Sequence, residues 1–157
     1  MRVFVYAIFA GLSIWGGNST QAKDKPSLAL RGHKGWVAAI AFSPDGKSIA
    51  AAGVGLGGKR SIYLWAIANP KPVKQLDGHK GDIYRVRFHP TKANRLLAAD
   101  YTGVIHIWDT GSAKSLFTTR LANPPIYSAA YSSDGKQIVT GARDAKAYLI
   151  PVPANAQ

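Results

Sequence analysis

Four histidines and eight aspartates are the residues here whose types suit acid–base or metal chemistry; glutamate and cysteine are absent. His33 and His79 invite a catalytic reading first, because both sit in one four-residue frame: Gly32-His33-Lys34-Gly35 and Gly78-His79-Lys80-Gly81, 46 residues apart. A general base needs a group within hydrogen-bond reach to act on, and a catalytic zinc needs three protein ligands. His89 and His106 read as isolated, without an Asp or Glu at metal-ligand spacing. Asp45, Asp109 and Asp134 fall in turns, so no two carboxylates of contrasting environment suggest hydrolysis. The lack of cysteine excludes disulfides, thiolate metal sites and cysteine nucleophiles. Gly53-Val54-Gly55-Leu56-Gly57-Gly58 is glycine-rich, yet no helix follows to present its amino end to a phosphate. The residues point away from an enzyme: no catalytic residue, metal or cofactor is expected.

The elements that must hold these residues repeat. Phe42, Phe88 and Tyr131 close three short apolar runs and stand 46 and 43 residues apart. Phe42-Ser43-Pro44-Asp45-Gly46-Lys47 and Tyr131-Ser132-Ser133-Asp134-Gly135-Lys136 are near copies, and Asp-Gly between apolar runs signals a hairpin because glycine accepts positive φ. Each unit reads as four strands. The outer strands fall at Ser27–Arg31, Val73–Leu76 and Lys114–Thr118, and the innermost at Val37–Phe42, Ile83–Phe88 and Ile126–Tyr131. Second strands fall at Ser48–Ala52, Arg95–Ala99 and Gln137–Gly141, and third strands at Ser61–Trp65, Val104–Trp108 and Ala147–Ile150. Runs this short and this often punctuated are not helices.

A period of about 40–45 residues with Gly-His near its start and Trp-Asp near its end resembles the WD-repeat β-propeller family. The landmarks are His33 and Trp65, then His79 and Trp108-Asp109, and the likeness covers about Ser27 to Val152. It implies an all-β fold of three WD-repeat-type four-stranded antiparallel blades, a partial propeller that is open or completed by oligomerisation. The repeats span about 30–66, 76–109 and 119–151 of a folded region 23–157. In the family the repeated His is structural and joins a Ser or Thr of the second strand, an Asp of the next turn and the Trp of the third strand. That gives His33, Trp65, His79, Trp108 and Asp144 architectural roles. By this alignment no blade holds the full group. Ala51 and Lys59 stand at the Ser/Thr and Asp positions of the first, Ala98 and Thr102 in the second. In the third, Thr140 and Asp144 are present while Ala122 and Ile150 replace His and Trp.

The resemblance also implies a binding face. Its exposed positions map onto Ala38, Tyr84 and Tyr127, onto Trp36, Asp82 and Pro125, and onto Gly58, Tyr101 and Arg143. Trp36, Asp82, Tyr84, Tyr101, Tyr127 and Arg143 are therefore the candidate partner-binding residues. Aromatics and Arg dominate binding hot spots, so the expected partner is a protein or peptide.

Twenty Lys and Arg against eight Asp leave a net charge of +12. Such a field draws polyanions in general, but the basic residues are scattered and form no nucleic-acid footprint, so a nucleic-acid partner is not expected. Met1-Arg2, the uncharged run Val3–Trp15 and Thr20-Gln21-Ala22 read as a secretory signal, residues 1–22, cleaved after Ala22. The expected location is periplasmic or secreted, with membrane attachment only through an uncleaved signal. Three blades cannot close a ring of the usual 4–8. The open alternatives are a homo-oligomer, a partner-completed array, and a truncated remnant or regulatory part of a larger protein or enzyme; a propeller hydrolase is the enzymatic rival.

Overall fold

Short apolar runs, each ended by a Gly, Asp or Pro turn, fold as strands because no run is long enough to bury one side of a helix. The computed structural model describes residues 29–55, 60–121 and 125–157, with side chains at all of these except 70–73. The signal segment 1–22, residues 27–28 of the first expected strand, Gly58, Lys59 and Ala122 lie outside the described residues. The regular elements are β1 (Val37–Phe42), β2 (Ser48–Gly53), β3 (Ser61–Ala66), β4 (Asn69–Asp77), β5 (Ile83–Phe88), β6 (Arg95–Asp100), β7 (Val104–Asp109), β8 (Lys114–Arg120), β9 (Ile126–Tyr131), β10 (Gln137–Ala142) and β11 (Ala147–Pro151). They build three antiparallel sheets, ordered β1-β2-β3-β4, β5-β6-β7-β8 and β9-β10-β11. The inner strands coincide with their expected ranges, and the second and third strands run one residue further.

Three expectations are corrected. The outer strands at Val73–Leu76 and Lys114–Thr118 fall within β4 and β8, which pair with β3 and β7. Each therefore completes the sheet before it, so the sequence repeat runs one strand ahead of the sheet. The third sheet has three strands among the described residues, not four. After β11 the backbone turns instead, with Ala156 N and Gln157 N both donating to Pro153 O. Pro151 and Pro153 offer no N–H to a ladder, and Val152 and Ala156 bury against the second sheet's Leu97 and Ile107. Ala29–Arg31, the described part of the first expected outer strand, is not in a strand.

Two cores lie between successive sheets. Ala39, Ala50, Ala52 and Leu64 of the first sheet meet Val86, Phe88, Leu96 and Trp108 of the second. Leu97, Ala99, Ile105 and Ile107 on the second sheet's other face meet Ala129 and Ile138 of the third. Each large apolar side chain so buried contributes about 1.5–3 kcal/mol. The Asp-Gly hairpins place Gly46 and Gly135 at φ of 67° and 72°. Lys47 N and Lys136 N each donate 3.0 Å to the carboxylate of Asp45 or Asp134, which fixes both turns alike.

Candidate functional site

Below the rim of the second sheet lies a buried polar group. His79, in the loop between β4 and β5, donates from Nδ1 to Asp100 Oδ2 at 2.9 Å, and neither side chain is exposed. Asp100 Oδ1 accepts from Thr102 N at 2.9 Å, Thr102 Oγ1 at 2.8 Å and Val104 N at 3.1 Å. The carboxylate thus caps its own turn and holds the histidine loop at once. Gly81, second glycine of the repeated motif, must pass close to this turn: a Cβ there would lie 2.9 Å from Thr102 N. Burial pushes the Asp100 carboxyl up, but the hydrogen bonds from His79, Thr102 and Val104 outweigh it and hold it at about 2.

This overturns the reading that the second blade lacks its carboxylate. Asp100, two residues before Thr102, supplies it. His106 is not isolated either. Its ring lies 4.4 Å from His79 and stacks on Trp108 at 5.1 Å, and its Nδ1 is 3.0 Å from Ser115 Oγ and 2.9 Å from Thr118 Oγ1. Burial, then the neighbouring His79, lower it to about 4. Equivalent third-strand positions carry Tyr63 and Tyr148, and the three rings sit opposite Ala51, Ala98 and Thr140. A small second-strand residue leaves room for the ring. In the first sheet His33 meets Tyr63 edge-on at 4.6 Å, with Trp65 at 5.9 Å. In the third, Tyr148 donates to Asp144, which also accepts from Lys146 N at 3.2 Å. With alanine at the hydroxyl positions, Trp65 Nε1 and Trp108 Nε1 are buried without a hydrogen-bond partner. Nor is His89 isolated: it packs on Tyr131 at 5.1 Å and against Gly135, joining the second and third sheets.

Above this layer three tyrosines converge. Tyr84 and Tyr127 occupy the same position in adjacent inner strands, β5 and β9, and Tyr101 sits in the β6–β7 turn between them. Their ring centroids form a triangle of 6.0, 6.4 and 6.5 Å, with planes inclined at 54°, 61° and 72°. Tyr101 is 44% exposed and Tyr127 47%. Arg85 Nη2 donates to Tyr127 O at 3.2 Å, and Tyr101 N donates to Asp82 O at 2.8 Å, so the platform is braced by backbone contacts. Asp82 itself turns to the first sheet, where Arg60 Nε donates to it at 3.0 Å. Arg143 is exposed, with its N donating to Pro125 O at 3.1 Å. Trp36 is exposed beside β1, before the first sheet, whereas the triangle joins Tyr84, Tyr101 and Tyr127 of the second and third. Ala38 holds the Tyr84 position in the first sheet and supplies no ring.

Sequence comparison agrees with this architecture. Coronin-7 of Rattus norvegicus is 36% identical over 48% of this chain, which spans 8% of that protein. The target of rapamycin complex subunit wat1 of Schizosaccharomyces pombe is 28% identical over 82% of the chain, covering 39% of its own length. Coronin-like protein crn1 of the same yeast is 25% identical over 74%, covering 20%. The chain thus spans well under half the length of each relative. The family model for the WD domain, G-beta repeat, matches three times, at residues 24–66, 70–109 and 114–150. With three tandem matches over most of its length, and three sheets stacked in the same order, the chain belongs to the WD-repeat family.

Proposed function

We propose that this chain is a non-enzymatic interaction module that takes an extended peptide or protein segment on the face built by Tyr84, Tyr101 and Tyr127. The tyrosine triangle carries the reading. Two of its rings stand nearly half exposed on braced backbone, where Tyr offers large contact area at little conformational cost. Arg31, Lys34, Lys80, Arg143 and Lys146 are exposed in loops and turns and Arg120 at the end of β8, so the preferred segment carries acidic residues beside aromatic or apolar ones. WD repeats generally serve as protein-interaction scaffolds. A catalytic role for His79 and Asp100 is disfavoured because no substrate reaches side chains without exposure. Selection from a random peptide display library tests the reading: acidic, aromatic-containing sequences should be enriched, and Tyr84→Ala/Tyr127→Ala should lose them.

The relatives support a second, compatible reading, in which these repeats serve as one part of a larger WD-repeat assembly; wat1 is by its name a complex subunit. Export through the 1–22 segment, placing the module in the periplasm or outside the cell, is part of the proposal. Amino-terminal sequencing of exported protein should begin at Lys23; a chain beginning at Met1 in the cytoplasm would contradict it.

A further inference from the structure

Among the described residues the first and third sheets each leave one face open, and each open face repeats one that is buried elsewhere in the same chain. The register makes Ile40, Phe42 and Trp65 of the first sheet the counterparts of Val86, Phe88 and Trp108 of the second. Phe88 is 8% exposed within the core it shares with the first sheet's alanines; Phe42, with no neighbouring sheet among the described residues, is 66% exposed. At the far end Leu149 is the counterpart of Ile107. Ile107 is 0% exposed against the third sheet, while Leu149 is 63% exposed.

The first junction sets small alanines of one sheet against the large side chains of the next. On the third sheet's open face, Ala130, Gly141 and Ala147 are again small, beside the exposed apolar Val139 and Leu149. The first sheet's open face is again large: Ile40, Phe42 and Ile49 line an apolar groove of about 560 Å³ whose floor includes the buried Trp65. Within one chain the faces cannot meet, because β5 lies between β1 and β9.

We infer that the third-sheet face of one copy docks into the first-sheet groove of a second copy, so that two chains close around a two-fold axis into a six-sheet ring. Both junctions then continue the packing already present twice in each chain. Six sheets fall within the range of closed propellers, and a two-fold allows both junctions to form together. The occupant is a second copy because the fitting surface is carried by the chain itself. This inference stands apart from peptide binding at the tyrosines. Like-charged copies repel at long range, and salt at about 0.15 M confines that repulsion to about 8 Å, so pairing should strengthen with salt.

Size-exclusion chromatography with light scattering on the purified protein tests it. The expected mass is twice that of the purified chain, which is 16.8 kDa when all 157 residues are retained. Phe42→Lys and Leu149→Lys should each give a monomer with unchanged far-ultraviolet dichroism, because both side chains lie outside the chain's own cores. Mixing the two variants should restore a dimer, since one junction then has both native partners. A parent that stays monomeric at every concentration, a dimer that survives either substitution, or a mixture that stays monomeric overturns the inference. The first of these outcomes would leave further blades or another protein as the cover.

Discussion

His79 and Asp100 meet at 2.9 Å across a loop and a turn that are 21 residues apart in sequence, with neither side chain exposed. One carboxylate therefore fixes two backbone segments, its own turn through Thr102 and Val104 and the histidine loop through Nδ1. Removing it leaves several buried donors without an acceptor. Asp100→Ala should cost about 1–3 kcal/mol for each buried donor it leaves unsatisfied. Thr102→Ala should cost about 1 kcal/mol, since Asp100 keeps its backbone donors. Urea denaturation of both variants measures this; equal, small losses would show that the group carries no weight.

The same cluster sets a pH dependence. Burial, with His79 nearby, holds His106 at about 4 against an ordinary 6.5. The unfolded chain binds that proton at higher pH, so stability is complete above about 6.5 and falls as pH drops towards 4. His33 and His89, also lowered chiefly by burial, act in the same direction. Asp100 at about 2 adds a second loss below its ordinary 3.8. Urea midpoints should fall by an amount worth roughly 2–3 kcal/mol between pH 7 and pH 4. His106→Tyr, borrowing the residue of the matching position at Tyr63, should flatten the upper part of that slope. Stability that rises on acidification from pH 7 to pH 5 would contradict the burial of these rings.

Much of the fold was legible because the landmarks are local: the Asp-Gly turns, the Gly-His-Lys-Gly loops and the strand-ending tryptophans fix the period and hence the cores of all eleven strands. What was not legible depended on reach. The assignment of β4 and β8 to the preceding sheet is a matter of hydrogen-bond partners, which strand patterning does not carry. Asp100 was missed because spacing put the carboxylate at Thr102, and a side chain folding back under its own turn shifts no landmark. An Asp two residues before a Thr-Gly turn was the available signal. Repeat position brings Tyr84 and Tyr127 together on adjacent inner strands, with Tyr101 in the turn beside them. Trp36 was grouped with them by position alone, but it belongs to the first sheet while the triangle spans the second and third.

Glycines in the two matching hairpins should differ in cost. Gly46 and Gly135 share positive φ, but a Cβ at Gly46 meets nothing within 4 Å, whereas one at Gly135 would lie 1.8 Å from His89 Nε2. Gly46→Ala should cost about 1–2 kcal/mol from backbone strain alone. Gly135→Ala should cost about 1–3 kcal/mol more, as in other overpacked sites. His89→Ala should recover part of that excess in a double-mutant cycle. Equal costs for the two glycines would mean that His89 does not pack on the turn.

The most direct measurement is the affinity of a display-selected acidic, aromatic peptide for three proteins: the parent, Tyr84→Ala/Tyr127→Ala, and Thr102→Ala. The paired tyrosine substitution should weaken binding by at least about 30-fold, the loss of roughly 2 kcal/mol expected of a hot spot. Thr102→Ala, altering only the layer beneath, should bind within about threefold of the parent at temperatures where it stays folded. Undiminished binding by the tyrosine variant would place recognition elsewhere on the molecule and contradict the account.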